Sequence, residues 1–499
     1  MKKKRKLLSP ITILMIVIVL AAGATWFVPA GRYNTLSYSD GRFKYDTDTG
    51  EIILPFNKHT LDSLSIFISL EKFSSGSIRK AVAVPATFHL LPKNSQGAIA
   101  ILQAPIKGII DAVEIILFLL IIGGFMNVFH ETGAIVKGLT VLSYRMKGKE
   151  AWLIIILTFL FSFAGSSYGM AEEALVFYPV LVPLFLAVGY DLLVPVVVIF
   201  GGTQLGTLSS FTNPFSTIIA SNAAGVNWTD GITERILMFV VSTAITIWYL
   251  VRYAQKVKKD PTKSIVYKVD GVVKSPYETI KSSGVAEPLT GRNKLLLILF
   301  LSTFLVMIIG VVWFDWWLIE MSALFLGASI LIALITRAKE SQFINQFIKG
   351  AESLLAVAFI VGVARGVTII LNEGHISDSI LFYSAKLVSG MHSALFIVML
   401  MVLFMIFTLF ISSSSGMAVL TMPIIGGLAV IVNVPGREIV NAYLFGMGIM
   451  GFLTPTGLIL PSLSLVNVSL KAWWKFVYPL LIILFIVCSL FLVIGIYLK

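Results

Sequence analysis

The sequence predicts an all-α polytopic membrane protein, on the grounds of its composition, its long apolar runs and the placement of its basic residues. Of its 499 residues, 57% are hydrophobic and only 13% are charged, whereas soluble domains carry about 25% charged residues. One soluble core could not bury so much apolar surface. The 38 Lys and Arg residues, against 26 Asp and Glu, lie beside apolar runs, which indicates membrane topology and anionic lipid and gives no support for nucleic-acid binding.

The first apolar run covers residues 11–28 and follows a basic cluster at residues 2–6. Because basic flanks stay in the cytoplasm, residues 1–28 are predicted to be an N-terminal anchor helix with a cytoplasmic N-terminus. A signal peptide cleaved near residues 22–24 is the alternative, and it leaves the later topology unchanged. The polar residues 29–105 are expected to be an external segment with some β-hairpin character.

The remaining chain divides by its charge pattern into two halves with a polar connection. Residues 106–255 are predicted to cross the membrane repeatedly and to end in the cytoplasm, where residues 256–294 form a linker rich in Lys, Ser and Pro. Residues 295–340 are expected to be two connecting transmembrane helices, with Asp315 at their external turn. Residues 341–499 form the second half, which ends outside at Lys499. This gives about ten full spans.

Four short motifs occur in the same order in both halves, at offsets of about 241 to 247 residues. The first half begins outside and the second inside, so residues 106–255 and 341–499 are predicted to be inverted repeats. The four pairs are Ile106-Lys107-Gly108 with Ile348-Lys349-Gly350, Glu131-Thr132-Gly133-Ala134-Ile135 with Glu373-Gly374-His375-Ile376, Ser166-Ser167-Tyr168-Gly169-Met170-Ala171 with Ser413-Ser414-Ser415-Gly416-Met417-Ala418, and Thr212-Asn213-Pro214 with Thr454-Pro455.

Inverted repeats interrupted by Gly, Pro and Ser at matching positions are typical of secondary transporters with a site near the bilayer midplane. The run at residues 151–165 is about 15 residues, or roughly 22 Å of helix, which is short of a hydrocarbon core of about 30 Å. It therefore predicts a re-entrant helical hairpin. The partner run, ending at residues 412–415, is about 19 residues, so its hairpin depends on the repeat.

Two further interruptions, at residues 207–214 and 454–457, predict two broken helices. Proline removes a backbone donor, and the freed groups survive at membrane depth only where protein or a water-filled cavity satisfies them. The alternative is that small and polar residues merely kink helices and allow close packing. Four symmetry-related clusters favour a binding site.

Few ionisable residues lie inside apolar runs, where each is costly. Glu172 and Glu173 follow the first hairpin tip, and Arg365 lies in an apolar run of the second half. Either a glutamate pairs with Arg365 to hold two helices together, or a glutamate meets a proton or a cationic substrate while Arg365 faces a carboxylate. The candidate substrate-binding residues are Ser166, Ser167, Tyr168, Glu172, Glu173, Thr212, Asn213, Arg365, Ser413, Ser414, Ser415, Thr454 and Thr456.

No enzyme is expected, because the sequence offers neither a nucleophile with its base nor a metal constellation. Its single cysteine, Cys488, excludes a disulfide framework within the chain. The histidines at His130, His375 and His392 are too far apart in sequence to indicate a metal site. We expect no cofactor, although H⁺ or Na⁺ is a candidate coupling ion. A channel remains a further alternative, but it has no need of paired broken helices.

Several motifs resemble the YfcC family, which belongs with the DcuC and ArcD-like carriers of the ion transporter superfamily, over essentially the whole chain. The resemblance implies secondary carriers with paired re-entrant hairpins and broken helices, often dimeric, so a homodimer is expected. The serine-rich tip at residues 412–415 departs from the family pattern. The motifs are Gly169-Met-Ala-Glu-Glu173, Phe177-Tyr-Pro-Val180, Gly189-Tyr-Asp191, Thr212-Asn-Pro-Phe215, Tyr253-Ala-Gln-Lys-Val257, Asp260-Pro-Thr-Lys-Ser264 and Val363-Ala-Arg-Gly366.

The resemblance and the two glutamates together favour a small-molecule carrier for a cationic amino acid, such as arginine or ornithine, by exchange or ion coupling. The alternative is a carrier of C4-dicarboxylates, other small organic anions or peptides, in which Arg365 and the hydroxyl groups hold carboxylates. The lipid bilayer is the expected surrounding partner.

Overall fold

A computed structural model describes residues 9–47, 50–66, 68, 70–74, 81–145, 148–277, 289–314, 316–388, 391–411, 413–432 and 434–497. The basic cluster at residues 2–6, Asp315, Ser412 and Lys499 lie outside the described residues. Most of the described chain is helical, and one segment between the first and second long helices contains strands.

The described part of residues 31–90 contains six short strands and two short helices. The strands form an antiparallel sheet of order β4-β3-β2-β5 and a separate β1–β6 pair. Strands β2 and β3 are joined by Asp40 and Gly41, both with positive φ, as a two-residue hairpin requires. The predicted β-hairpin character is confirmed. The elements are β1 Gly31–Arg32, β2 Thr35–Ser39, β3 Arg42–Thr47, β4 Gly50–Leu54, β5 Val82–Ala83, β6 His89–Leu90, α2 Lys58–Ser63 and α3 Leu70–Ser74.

Helices make up the rest of the described fold, with short 3₁₀ turns at Glu172–Phe177 and Pro261–Lys263 and π-helical turns at Val197–Gly201 and Pro214–Ile218. The α-helices are α1 Pro10–Phe27, α4 Ala98–Asp111, α5 Val113–His130, α6 Ala134–Arg145, α7 Glu150–Ser167, α8 Tyr178–Ala187, α9 Leu193–Val196, α10 Gly202–Leu208, α11 Ile219–Ala223, α12 Ile232–Lys259, α13 Ile265–Asp270, α14 Gly291–Phe314, α15 Leu318–Thr336, α16 Glu340–Glu373, α17 Ser377–Val388, α18 Ser393–Phe410, α19 Ser414–Val432, α20 Gly436–Gly451, α21 Ile459–Ser464 and α22 Leu470–Tyr497.

Eight helices among the described residues are long and apolar enough to cross a membrane, which agrees with a multi-pass membrane protein although about ten spans were expected. Many of their large apolar side chains are exposed on the outside of the molecule, where lipid would cover them. The eight are α1, α5, α7, α12, α15, α16, α18 and α22.

The length argument for the first hairpin is wrong. Helix α7 has 18 residues, three more than the run counted from hydropathy, because it begins at Glu150 and continues through Gly165 to Ser167. Its partner α18 also has 18 residues, and both are long enough to span. Gly165, Ser166 and Ser167 belong to the helix, so the run counted from hydropathy ended too early.

Helices α4 and α5 lie against α16 at unusually close range, and glycines make this possible. A Cβ on Gly123 would lie 2.5 Å from the carbonyl oxygen of Gly350, and one on Gly108 would lie 2.3 Å from that of Gly362. Such small-residue contacts let backbones approach, as is common between membrane helices. Helix α4 begins at Ala98, inside the predicted external segment, and contains Pro105.

Candidate functional site

A cavity of about 230 Å³ lies where the breaks of both halves meet. Its wall includes the chain after α7, the breaks after α10 and α20, the turn before α19, and side chains of α5, α15 and α16. The lining residues are Ile115, Gly169, Ala171, Glu172, Glu173, Gln204, Thr207, Asn213, Phe215, Ser216, Trp317, Leu318, Val361, Ala364, Arg365, Thr408, Ser413, Ser414, Ser415, Met447, Gly451, Thr454, Thr456, Gly457 and Leu458.

Asn213 is the side chain that joins the first two breaks. It is 4% exposed, and its Oδ1 accepts hydrogen bonds from the backbone N–H groups of Phe215 at 2.8 Å and Ser216 at 3.3 Å. Its Nδ2 donates to the carbonyl oxygen of Gly165 at 3.1 Å. Asn213 therefore caps the helical turn that follows and ties it to the end of α7.

Gly169 makes the turn after α7 possible. Its φ is +87°, a region that glycine enters without steric cost. A Cβ at this position would lie 2.7 Å from Oδ1 of Asn213. The turn and the break are thus packed directly against each other.

The second half has a comparable arrangement around Thr454 and Thr456. Their hydroxyl oxygens are 2.7 Å apart, and Thr456 Oγ1 donates to the carbonyl oxygen of Leu409 near the end of α18 at 3.2 Å. Ser413 Oγ accepts from the backbone N–H of Gly416 at 3.2 Å, at the start of α19. Tyr443 donates its hydroxyl to the Ser414 carbonyl oxygen at 2.8 Å. The hydroxyl groups of Thr456 and Ser413 are therefore held by backbone groups.

Glu172 and Glu173 both face the cavity but differ in their hydrogen bonding. The backbone N–H of Ala171 donates to Oε2 of Glu173 at 2.9 Å. No hydrogen bond or ion pair joins the Glu172 carboxylate to another residue in the described part of the chain. Glu173 is therefore fixed by its own turn, whereas Glu172 keeps its acceptor capacity.

Arg365 also lines the cavity and lies on α16. Arg365 pairs with Asp111, with 4.0 Å between Arg365 Nε and Asp111 Oδ2. The Arg365 side chain is 25% exposed and the Asp111 side chain is 59% exposed. The ion pair considered between Arg365 and a glutamate of the first half is not seen among the described residues. The distance and the exposure both make this a weak pair.

Nine of the thirteen predicted site residues line the cavity, and the structure does not bring the other four to its wall. Ser166 is buried, with Oγ donating to the Ser209 carbonyl oxygen at 2.9 Å, and Ser167 donates back to Phe163 at 2.7 Å. Thr212 Oγ1 donates to the Ser167 carbonyl oxygen at 3.0 Å. Tyr168 is 9% exposed and outside the lining. These four residues form the frame behind the cavity.

Sequence reasoning missed several lining residues, including Gln204, Thr408 and Trp317. Gln204 and Thr408 are polar residues within apolar runs, a signal that could have identified them. Gln204 Nε2 donates to the Gly448 carbonyl oxygen at 3.5 Å, which links the two halves. Trp317 lies outside both repeats, and only the packing of α15 brings it to the site.

No group of three His, Cys, Asp or Glu side chains suited to a metal ion occurs among the described residues.

A multi-pass helical protein with a polar cavity between interrupted helices has the architecture of a membrane transporter. The model of the DcuC family, described as C4-dicarboxylate anaerobic carriers, matches residues 7–497, and the chain therefore belongs to this family. The predicted resemblance is confirmed, and membership implies a carrier and not an enzyme.

Two curated relatives match almost end to end. An uncharacterized protein of Haemophilus influenzae is 38% identical over 500 residues, covering 99% of this chain and 98% of its own. A protein of Escherichia coli named as the putative basic amino acid antiporter YfcC is 29% identical over 513 residues, covering 99% of this chain and 97% of its own.

Two solved transporters are similar at low level. The YdaH transporter of Alcanivorax borkumensis has a TM-score of 0.41 at 12% identity, covering 98% of each chain. MtrF of Neisseria gonorrhoeae, from a class of antimetabolite efflux pumps, has a TM-score of 0.37 at 15% identity, covering 99% of this chain and 96% of its own. At these TM-scores, neither structure supports a statement about the site.

Proposed function

We propose that this chain is a secondary active transporter that moves a cationic amino acid, such as arginine or ornithine, by alternating access. The observation that carries the proposal is the charge of the cavity wall. Among its described lining residues Glu172 and Glu173 are acidic and Arg365 is basic. With both carboxylates ionised, this wall has one net negative charge, which complements an amino acid with one carboxylate and two cationic groups.

The size of the cavity supports the same substrate class. Sites for drug-sized ligands measure about 300–1,000 Å³, whereas this cavity measures about 230 Å³. A single amino acid is a solute of suitable size, and a longer peptide would not fit. The name of the Escherichia coli relative, a putative basic amino acid antiporter, agrees with this class.

We assign different roles to the three charged residues. Arg365 binds the substrate carboxylate, which replaces the distant Asp111 as its partner. Glu172, which has acceptor capacity to spare, binds a cationic group of the substrate. Glu173 holds the turn through the N–H of Ala171, and the hydroxyls of Ser413, Ser414, Ser415, Thr454 and Thr456 complete the polar wall. Transport proceeds by exchange of substrates or by coupling of substrate movement to H⁺ or Na⁺.

Inverted repeats with two re-entrant hairpins are the framework that we propose for transport. Paired helix lengths support the repeat, since α6 and α17 have 12 residues each, α7 and α18 have 18 each, and α12 and α22 have 28 each. The hairpins are supported by their proposed tips, because Gly169 and Ser413 both line the cavity. Helix breaks follow α10 and α20 at matching places. Assembly as a homodimer in the plasma or inner membrane, with a cytoplasmic N-terminus, completes the proposal.

The second candidate is a C4-dicarboxylate carrier. The family description and the combination of Arg365 with serine and threonine hydroxyls favour it. The two glutamates oppose it, because a dianion would add two negative charges beside two carboxylates.

Ligand-induced stabilisation of the purified protein tests the two candidates. Binding to the native state raises the thermal unfolding midpoint, so L-arginine and L-ornithine should raise it and succinate and fumarate should not. Proteoliposomes loaded with unlabelled arginine should then take up labelled arginine by exchange. Stabilisation by the dicarboxylates alone would reverse the assignment.

A further inference from the structure

Two aromatic side chains, Phe215 and Trp317, form one face of the cavity. Their ring centroids are 4.9 Å apart, with an angle of 54° between the ring planes, and both rings line the cavity. They come from distant parts of the chain. Phe215 lies in the break after α10, and Trp317 immediately precedes α15.

Hydrogen bonds to side-chain acceptors hold the backbone at both positions. The N–H of Phe215 donates to Asn213 Oδ1 at 2.8 Å, and the N–H of Trp317 donates to Glu320 Oε2 at 2.9 Å. Trp317 is nevertheless 37% exposed, so a substantial part of its side chain stays uncovered. The pair is therefore an aromatic surface of the cavity wall that the rest of the described chain leaves partly uncovered.

Cations are attracted to the faces of aromatic rings, and a planar guanidinium stacks on them especially well. The cation–ring contacts in the described chain are Arg252 over Trp248 and Lys258 over Tyr190, both away from the cavity. Arg365, the one basic residue among the described residues of the wall, pairs with Asp111. No cation of the described protein occupies the two rings.

We propose that Phe215 and Trp317, together with Glu172, form the recognition surface for the distal cationic group of the substrate. This inference rests on the proposed function and adds to it the part of the site that recognises the substrate side chain. In a cavity of about 230 Å³, one guanidinium can contact an aromatic face and a carboxylate at the same time. A neutral side chain of the same shape gains neither interaction.

L-arginine and L-citrulline test the inference, because they have nearly the same shape and differ in side-chain charge. Calorimetric binding is measured for the full chain in lipid nanodiscs. In W317L the affinity for arginine should fall roughly tenfold, while W317F, which keeps an aromatic face, should stay within about threefold of the wild type. W152L is the matched control, since Trp152 on α7 is exposed and outside the cavity, and it should bind like the wild type.

The outcomes separate the inference from the proposed function. If wild-type protein binds arginine and W317L binds it equally well, the inference is wrong and the carrier proposal stands. Equal losses for arginine and citrulline in W317L would mean that the ring acts by packing only, which also overturns the inference. If the wild type binds no cationic amino acid, the proposed function itself is wrong. F215L provides the same comparison if W317L does not fold.

Discussion

Glu172 and Glu173 are adjacent in the chain but have different surroundings, and hydrogen bonding is what distinguishes them. The Ala171 N–H bonds to Glu173 at 2.9 Å, while the described chain offers Glu172 no such donor. A substrate cation therefore has more to gain at Glu172.

Replacing each glutamate by glutamine tests this difference. E172Q should weaken arginine binding by about 2 kcal/mol, because a charge-assisted hydrogen bond is lost. E173Q should have a smaller effect, because the amide oxygen can still accept from Ala171. Calorimetry gives the affinities, and thermal unfolding without ligand is the control for folding. Wild-type affinity in E172Q, E173Q and the double variant would remove both residues from the mechanism.

Gly169 allows a second test at the scale of one residue. G169A should lower the free energy of unfolding by roughly 2–3 kcal/mol, because the methyl group meets both a positive φ and the Asn213 amide. Gly133 is the matched control, since its φ is +71° but nothing lies within 4 Å of its Cβ position. G133A should cost only the backbone strain, roughly 1 kcal/mol. Equal shifts in the thermal midpoint would show that the contact with Asn213 is unimportant.

At the scale of the elements, the contact of α5 with α16 depends on glycine. The carbonyl oxygen of Gly350 occupies the space that a side chain on Gly123 would need. Because the obstacle is backbone, it cannot rotate away, and the helices must separate to admit even one methyl group.

G123A should therefore destabilise the protein by about 1–3 kcal/mol. Gly327 on α15 provides the control, because nothing lies within 4 Å of its Cβ position. G327A should be neutral or slightly stabilising, since alanine is the better helix former. Thermal unfolding of both variants in detergent makes the comparison. A similar midpoint for the two would contradict the close-packing account.

At the scale of the whole molecule, a carboxylate clamp holds the polar linker to the first half. Asp191 Oδ2 accepts hydrogen bonds from Tyr253 at 2.5 Å and Ser264 at 2.6 Å. Burial raises the pKa of the Asp191 carboxyl, and these hydrogen bonds act in the opposite direction. Several motifs that resemble the family thus meet in one structural contact, away from the cavity.

Y253F tests the clamp. It removes a donor to Asp191 and leaves the N–H of Ile265, which bonds to the Tyr253 hydroxyl at 3.0 Å, without that acceptor. The expected cost is about 1–3 kcal/mol, with faster trypsin cleavage of the linker. Tyr267 is 50% exposed, so Y267F should behave like the wild type. Unchanged cleavage of Y253F would show that the clamp does not restrain the linker.

Membrane orientation is the second property of the whole molecule that needs a direct test. Residues 30–105 and Lys499 should lie outside, and residues 252–294 in the cytoplasm, because the basic flanks stay inside. Cys488 is buried and should give little background. In intact cells an impermeant thiol reagent should label K58C but label K274C only after permeabilisation. Labelling of K274C from outside would overturn the orientation.

The sequence alone determined the membrane class, the family and the places where the helices break. Apolar composition leaves little choice of environment, and Pro214 and Pro455, which lack a backbone N–H, mark two of the interruptions. The sequence also pointed to Glu172, Glu173 and Arg365, because charges in apolar runs are rare.

Only the tertiary structure decided which polar residues face the cavity. Ser166 and Gln204 are both polar residues in or beside apolar runs, yet Ser166 lies in the frame and Gln204 lines the wall. Helix rotation and packing make that choice, and local sequence does not encode them. Trp317 reaches the site because α15 packs against α5, a contact between segments far apart in the chain. The direction of a side chain depends on how the helices pack. For that reason the sequence alone could not predict that Phe215 and Trp317 form one face of the cavity.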